Sequence, residues 1–161
     1  LEIPLFIEKS HAKEIVFDIR KEKNPCSLCA NLRRGVINSV AVREGCNKIA
    51  LGHNQDDVLE TFLLNLFYAG NIGTFSPVSY MDRSGITLIR PFVYTPEKDT
   101  KRFIKKNNLS VMPKVCPMDG TSKRESMKQL IFTLQKDIPM IRANLFGAIQ
   151  RNLWQGKRDV P

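Results

Sequence analysis

The run Lys48-Ile49-Ala50-Leu51-Gly52 is a short apolar strand that stops at a glycine. His53-Asn54-Gln55-Asp56-Asp57 then turns it directly into an apolar helix over 57–68. A strand that passes through a glycine into a helix is the building block of α/β sheets, in which ligands bind beyond the carboxyl ends of the strands. Gly52 permits close backbone approach. The start of the helix offers free N–H groups and the positive end of its dipole. Asp56 or Asp57 can cap that helix, and a carboxylate there can help hold Mg²⁺ on a nucleotide. His53 can orient a phosphate or a reacting group. The same residues are also consistent with a capped helix carrying a packed histidine.

Other elements alternate in the same way. Leu5–Glu8 predicts a short strand, and Lys13–Lys23 carries Ile15, Val16 and Ile19 at helical spacing. Asn24-Pro25 signals a turn. Residues 29–44 predict a helix with Leu32, Val36 and Val40 on one side, ended by Gly45. In the helix after the glycine turn, Val58, Leu59, Phe62, Leu63, Leu64, Leu66 and Phe67 cover nearly the whole circumference, which predicts burial on most faces. Residues 69–82 predict a loop, and 85–93 a strand. Thr95-Pro96-Glu97 has the pattern of an N-cap, a first-position proline and a first-turn acid, opening a helix to about Asn107. Leu109–Val115 is extended, and Cys116-Pro117-Met118-Asp119-Gly120 is a turn. Ser122-x-x-Glu125 opens a helix through Lys136, and Pro139 starts a last one to about Leu153.

The chain has 161 residues, which fits one domain, and no apolar run approaches the roughly 20 residues needed to cross a bilayer. A cytoplasmic location and no membrane partner follow as expectations. A net charge of +9 points to a polyanion, nucleic acid first. The cations gather at Arg33, Arg34 and Arg43, at Lys101, Arg102, Lys105, Lys106 and Lys114, and at Lys123, Arg124 and Lys128. Many of these also fit a solvated helix face. Trp154 and Tyr68 fit packing as well as base stacking.

The four cysteines do not have the look of a disulfide framework. Cys46 reads as a buried thiol. Cys26-Ser27-Leu28-Cys29 places two thiols on one turn, a spacing that suits one metal or one cluster. A third ligand would come from Cys116, at the end of an extended segment before a proline. An iron–sulfur cluster, zinc held by three Cys and a His, and a persulfide-forming redox pair all fit that pattern.

Taken together, Cys26-Ser27-Leu28-Cys29 before Leu32-Arg33-Arg34-Gly35, followed by Gly52-His53-Asn54-Gln55-Asp56-Asp57, resembles the PP-loop ATP pyrophosphatase superfamily. Within it the pattern is similar to the tRNA 2-thiocytidine synthetase family. The resemblance implies a Rossmann-like layered α/β fold with a mainly parallel sheet, of the adenine-nucleotide alpha hydrolase type. It also implies that His53, Asp56 and Asp57 border the ATP site as catalytic candidates, with Gly52, His53 and Asp57 binding the nucleotide and its Mg²⁺. Cys26, Cys29 and Cys116 would hold a [4Fe–4S] cluster, with zinc as the alternative. Arg33, Arg34, Lys123 and Arg124 would meet the tRNA. Three ligands for four irons leave one iron open to an exogenous sulfide, whereas a fourth ligand would make a closed electron-transfer site. Many relatives carry a second Cys-x-x-Cys downstream; here Pro117-Met118-Asp119 follows Cys116, so only its first cysteine is present.

The PP-loop itself, Ser-Gly-Gly-x-Asp-Ser, is not among these residues. In relatives it lies upstream of the position matching Leu1. The expectation is therefore that residues 1–161 form one domain, the back part of a PP-loop catalytic domain whose N-terminal part is missing, inactive by itself. The implied activity is ATP-dependent tRNA thiolation by an enzyme that adenylates a cytidine and replaces its oxygen with sulfur. A sulfur donor such as a cysteine desulfurase, and a homodimer, are further expectations. The alternatives are another PP-loop tRNA-modifying enzyme, such as a lysidine synthetase, and a non-catalytic zinc-stabilised tRNA-binding module.

Overall fold

A computed structural model describes residues 3–22, 25–112, 116–118 and 120–155. Asn24, Lys114 and Asp119, and with them parts of the expected turns and of the extended segment before Cys116, lie outside the described residues. Among the described residues, five α-helices and three strands follow in the order α1 (Pro25–Arg43), β1 (Lys48–Ala50), α2 (Gln55–Ala69), β2 (Val78–Met81), β3 (Ile86–Ile89), α3 (Glu97–Lys106), α4 (Lys123–Asp137) and α5 (Ile141–Ile149). π-Helical turns occupy Glu14–Ile19 and Gln150–Trp154. Among the described residues no helix is long and apolar enough to cross a membrane.

The strands form a mixed sheet in the order β1-β3-β2. Thr87 N–H donates to the Asn47 carbonyl at 3.0 Å and Leu51 N–H to the Ile89 carbonyl at 2.9 Å, the slanted pattern of a parallel pair. β2 and β3 are antiparallel. Gly85, at φ +65°, closes their turn by donating to the Met81 carbonyl at 2.9 Å, and Arg90 N–H reaches the Pro77 carbonyl at 2.9 Å. The parallel expectation is thus met at β1–β3, the pair that carries the glycine turn, and an antiparallel edge strand is added to it. That edge strand falls in the stretch predicted as loop. Gly70, Gly73 and Pro77 punctuate the approach to it, and its strand character comes from pairing with β3.

The chain divides into two compact units, Leu1–Ile49 with Tyr80–Thr87, and Ala50–Ser79 with Leu88–Pro161. In the first, α1 presents Leu32, Val36 and Val40 as a half-buried row and leaves Arg33 and Arg34 exposed, as its periodicity predicts. Gly45 follows at φ +66°. α1 starts earlier than expected: Pro25 is its first residue, where a missing N–H costs nothing. The expected strand Leu5–Glu8 is not formed. These residues are irregular and exposed, with Leu5 and Ile7 both 81% accessible, and no described strand pairs with them. Cys46 is exposed rather than buried, its Sγ 3.9 Å from the Glu44 carbonyl.

The second unit holds the main core. Leu59 and Leu63 of α2, Met127 and Ile131 of α4, and Phe146 and Ile149 of α5 meet Val58, Val93 and Trp154 there. Each helix contributes residues three or four apart, which share one face. Tyr94, Phe146 and Trp154 pack edge to face, and the Trp154 indole donates to the Phe75 carbonyl at 3.2 Å. α2 is buried only over its first half; Phe67 and Tyr68 near its C-terminus are exposed. Ser122 caps α4 as predicted, accepting from Glu125 N–H at 3.4 Å. At α3 the cap residue is Pro96 rather than Thr95.

Leu59→Ala should lower stability by about 3 kcal/mol, because a fully buried side chain leaves a cavity that neighbours fill only in part. Phe67→Ala should change it by less than about 0.5 kcal/mol. Urea unfolding of both variants checks the contrast; equal losses would refute this placement of the core.

Candidate functional site

The turn after β1 is built by a reciprocal pair. Asn54, extended at φ −105° and ψ −178°, caps α2 by accepting from Asp57 N–H at 3.1 Å. Asp57 Oδ2 accepts in return from Asn54 N–H at 2.9 Å. The cap is therefore Asn54, not Asp56 or Asp57, and Asp57 is the returning acid of a capping box. Gln55 N–H donates to the Thr95 carbonyl at 3.0 Å. With Gln55 and Asp57 both spent inside the protein, the first turn of α2 does not offer the row of free N–H groups that the sequence predicts. Gly52 is exposed, and a Cβ built there meets no atom within 4 Å. Packing does not require the glycine, and its backbone stays open to approach. The His53 ring lies 4.8 Å from that of Phe75, tilted by 38°.

Asp56 is buried, with 9% of its surface accessible, and is satisfied from two directions. Its Oδ2 accepts from Glu97 N–H, at the start of α3, at 2.7 Å. Its Oδ1 is bonded to the Arg142 guanidinium on α5. One turn along α2, Glu60 is 5% accessible. Arg124 reaches in from α4, donating to Glu60 Oε2 and Asp57 Oδ1, both at 3.2 Å, and to Thr61 Oγ1 at 3.3 Å. Glu97 completes the group, bonded to Lys128 at 2.8 Å and to Lys101 at 3.0 Å.

These side chains line a polar pocket of about 190 Å³, with Asn54, Asp57, Glu60, Glu97, Arg124 and Lys128 on its walls. Burial pushes the Glu60 carboxyl up to about 6, against the pull of Arg124. Burial also raises Glu97, but its bonds to Lys128 and Lys101 outweigh this and leave it below the ordinary carboxylate range. Its hydrogen bond to Glu97 holds the Lys128 ammonium above its usual value. Asp56, Asp57, Glu60 and Glu97 are thus all bonded to protein cations. Glu60 and Glu97 are thus pushed in opposite directions, Glu60 up by burial and Glu97 down by its two lysines.

Glu60, Glu97, Lys128 and Arg142 were not among the sequence-predicted site residues. The readable signal was a charge inside an apolar stretch. Glu60 sits in Val58-Leu59-Glu60-Thr61-Phe62-Leu63 and Arg142 in Ile141-Arg142-Ala143-Asn144-Leu145. A charge in a helix that must be buried demands a partner.

The remaining candidates lie elsewhere. Cys26 and Cys29 stand on the first turn of α1, one exposed and one half-buried, both free thiols. They belong to the first unit with Arg33 and Arg34, and Cys116, exposed and free, belongs to the second. Within each unit, among the described residues, no three Cys, His, Asp or Glu side chains stand together as a metal cage. Lys123 lies 4.3 Å over the Tyr68 ring. Arg124, a candidate for tRNA, is engaged with the acids of α2.

A PP-loop domain family matches residues 1–131. The chain belongs to the PP-loop family. Among its relatives, it is 45% identical over 133 residues to a tRNA-cytidine(32) 2-sulfurtransferase of Syntrophotalea carbinolica, a match covering 81% of this chain and 51% of that protein. It is 39% identical over 146 residues to the protein of the same name from Citrifermentans bemidjiense, covering 89% of this chain and 57% of the relative. This PP-loop chain thus spans about half the length of the curated relatives it matches. Its fold is similar to that of the U34-tRNA thiolase NcsA from Methanococcus maripaludis, a structure with its [4Fe–4S] cluster, at a TM-score of 0.65 and 23% identity. That match covers 83% of this chain and 46% of the thiolase.

Glu60 gives the site a pH signature. Its folded-state value lies above its unfolded one, so the native state binds the extra proton. Its contribution is most favourable below about 4.5 and is lost as pH rises through about 6. The stability of the wild type relative to Glu60→Gln should therefore fall by about 2 kcal/mol between pH 4 and 7. Urea unfolding of the pair across that range checks it; a constant difference would show that folding leaves the Glu60 carboxyl unshifted.

Proposed function

We propose that this PP-loop chain is part of an ATP-dependent tRNA thiolation enzyme of the 2-thiocytidine type, and that residues 1–161 supply the back part of its catalytic domain. The carrying observation is the 45% identity to a tRNA-cytidine(32) 2-sulfurtransferase across 81% of the chain. Two features of this chain's own chemistry support the reading. A free cysteine pair shares one helical turn, and a glycine with open backbone follows a parallel strand.

Thiolation of a cytidine needs an activated oxygen, because a carbonyl-type oxygen leaves poorly. ATP provides the activation: the C2 oxygen attacks the α-phosphate, pyrophosphate departs, and AMP becomes the later leaving group. Gly52 and His53 lie where the strand ends, the position at which such sheets bind nucleotides. Asp56 and Asp57 hold this turn by tying α2 to α3, α4 and α5. Mg²⁺ is expected to accompany the nucleotide.

Cys26 and Cys29 fit two ligands of an iron–sulfur cluster. Their spacing puts both sulfurs on one turn, and the N-terminal end of α1 favours the negative charge of bound thiolates. Cys116 is the proposed third ligand. A [4Fe–4S] cluster held by these three would supply sulfur at the level of sulfide through an iron that has no protein ligand. Arg33 and Arg34, exposed within two turns of the cysteine pair on α1, are suited to neutralising substrate phosphates.

Iron, acid-labile sulfide and zinc measured in the native protein purified without oxygen test this reading. Near-equal iron and sulfide are expected. Cys26→Ala, Cys29→Ala and Cys116→Ala should each remove the iron and abolish 2-thiocytidine in reacted tRNA, read by nucleoside mass spectrometry. Full thiolation by any of the three would overturn the ligand assignment. Zinc alone would favour the tRNA-binding module.

A further inference from the structure

α3 carries five cations in ten residues: Lys98, Lys101, Arg102, Lys105 and Lys106. At 100° per residue they fall within about 140° of the helix circumference, so one sector of the helix is continuously cationic. The opposite side takes the inward residues: Glu97, Thr100 and Ile104 are half-buried. The five cations are all exposed. Phe103 lies about 60° around the helix from the Lys106 edge of the stripe, beyond Asp99, and is itself 61% accessible.

Few of these charges are used. Among the described residues no carboxylate pairs with Lys98, Lys105 or Lys106. Lys101 is paired with Glu97 at 3.0 Å and Arg102 with Asp99 at 3.6 Å, but their side chains remain 65% and 77% accessible. Exposed pairs of this kind contribute little and exchange readily for another anion. The base of the helix, by contrast, is firmly set: Glu97 N–H is held by Asp56, and the Glu97 carboxylate by Lys128. α3 is therefore a fixed rod whose outer face is only partly neutralised, on a chain of net charge +9.

We propose that the outer face of α3 is an RNA-docking surface, in which Lys98, Arg102, Lys105 and Lys106 take backbone phosphates and Phe103 stacks on an unpaired base. The partner is a polyanion with flat bases, because the face combines a run of cations with a single exposed ring. A membrane-surface helix needs a broad apolar face opposite its cations. Here that side is turned toward the protein. The proposal deepens the tRNA reading and rests on it for the identity of the RNA.

Binding of unmodified tRNA to the native protein, followed by fluorescence anisotropy across a salt series without ATP, tests it. The triple variant Lys98→Gln/Lys105→Gln/Lys106→Gln removes only charges that have no described carboxylate partner, so its thermal melt should match the wild type. The slope of log K against log salt should shrink in magnitude by about 2 to 3. Phe103→Ala should weaken binding roughly fivefold or more with the slope unchanged. An unchanged slope in the triple variant overturns the proposal. So does binding of this face to phosphatidylserine vesicles with tRNA affinity unaffected. The two readings fail separately. A protein that binds tRNA through α3 but makes no thiocytidine keeps the docking surface and loses the activity. Thiolation with an unaltered slope does the reverse.

Discussion

The buried Asp56 carboxylate has two partners that do not belong to its own helix: the N–H that opens α3 and the Arg142 guanidinium of α5. Pro96 brings no side chain able to cap α3, so Asp56 does that work from α2. The same carboxylate fixes α5 against α2. Asp57 beside it and Glu60 one turn on repeat the arrangement, drawing α4 in through Arg124. Three helices are thus positioned on one by carboxylates spaced along its inner face. A hydrophobic core alone would let them slide; charged hydrogen bonds in a low-dielectric setting specify one register. Removing a single partner leaves a desolvated charge, so the network stands or falls as a unit.

This arrangement separates scaffold from chemistry within the second unit. The residues of the motif that look most reactive in the sequence, Asp56 and Asp57, have their acceptor oxygens committed to protein donors. Bonding capacity remains at the open backbone of Gly52 and on the outer face of α3. In the first unit it remains at the two free thiols that open α1 and at the exposed arginines behind them. A PP-loop enzyme that acts on tRNA has to place a nucleotide, a sulfur source and a polyanion. Under the proposed function, the uncommitted groups of this chain would be the ones to serve those three needs.

Much of the local structure was legible because its causes are local. The glycine turn after β1, the Leu32-Val36-Val40 row of α1, the Ser122 cap and the C-terminal end of α3 all follow from residues within one or two turns of each other. Asn54 was the near miss. It lies in the motif, and its match to Asp57 three residues on is a capping box. Cys46 is exposed against expectation, because a cysteine's burial depends on what packs over it.

What the sequence alone determined is the strand–glycine–helix unit, the spacing of Cys26 and Cys29, the cationic character of α3 and the family these signatures point to. Each is a matter of residues close in the chain. Tertiary structure decided the rest. It paired Arg124 with Glu60 across 64 positions and Arg142 with Asp56 across 86. It made a strand of 78–81, which has no partner until β3 is laid beside it, and left Leu5–Glu8 without one. The physical reason is the same throughout. A buried charge or an edge strand acquires its identity from the group that satisfies it, and in this fold that group is far away in sequence.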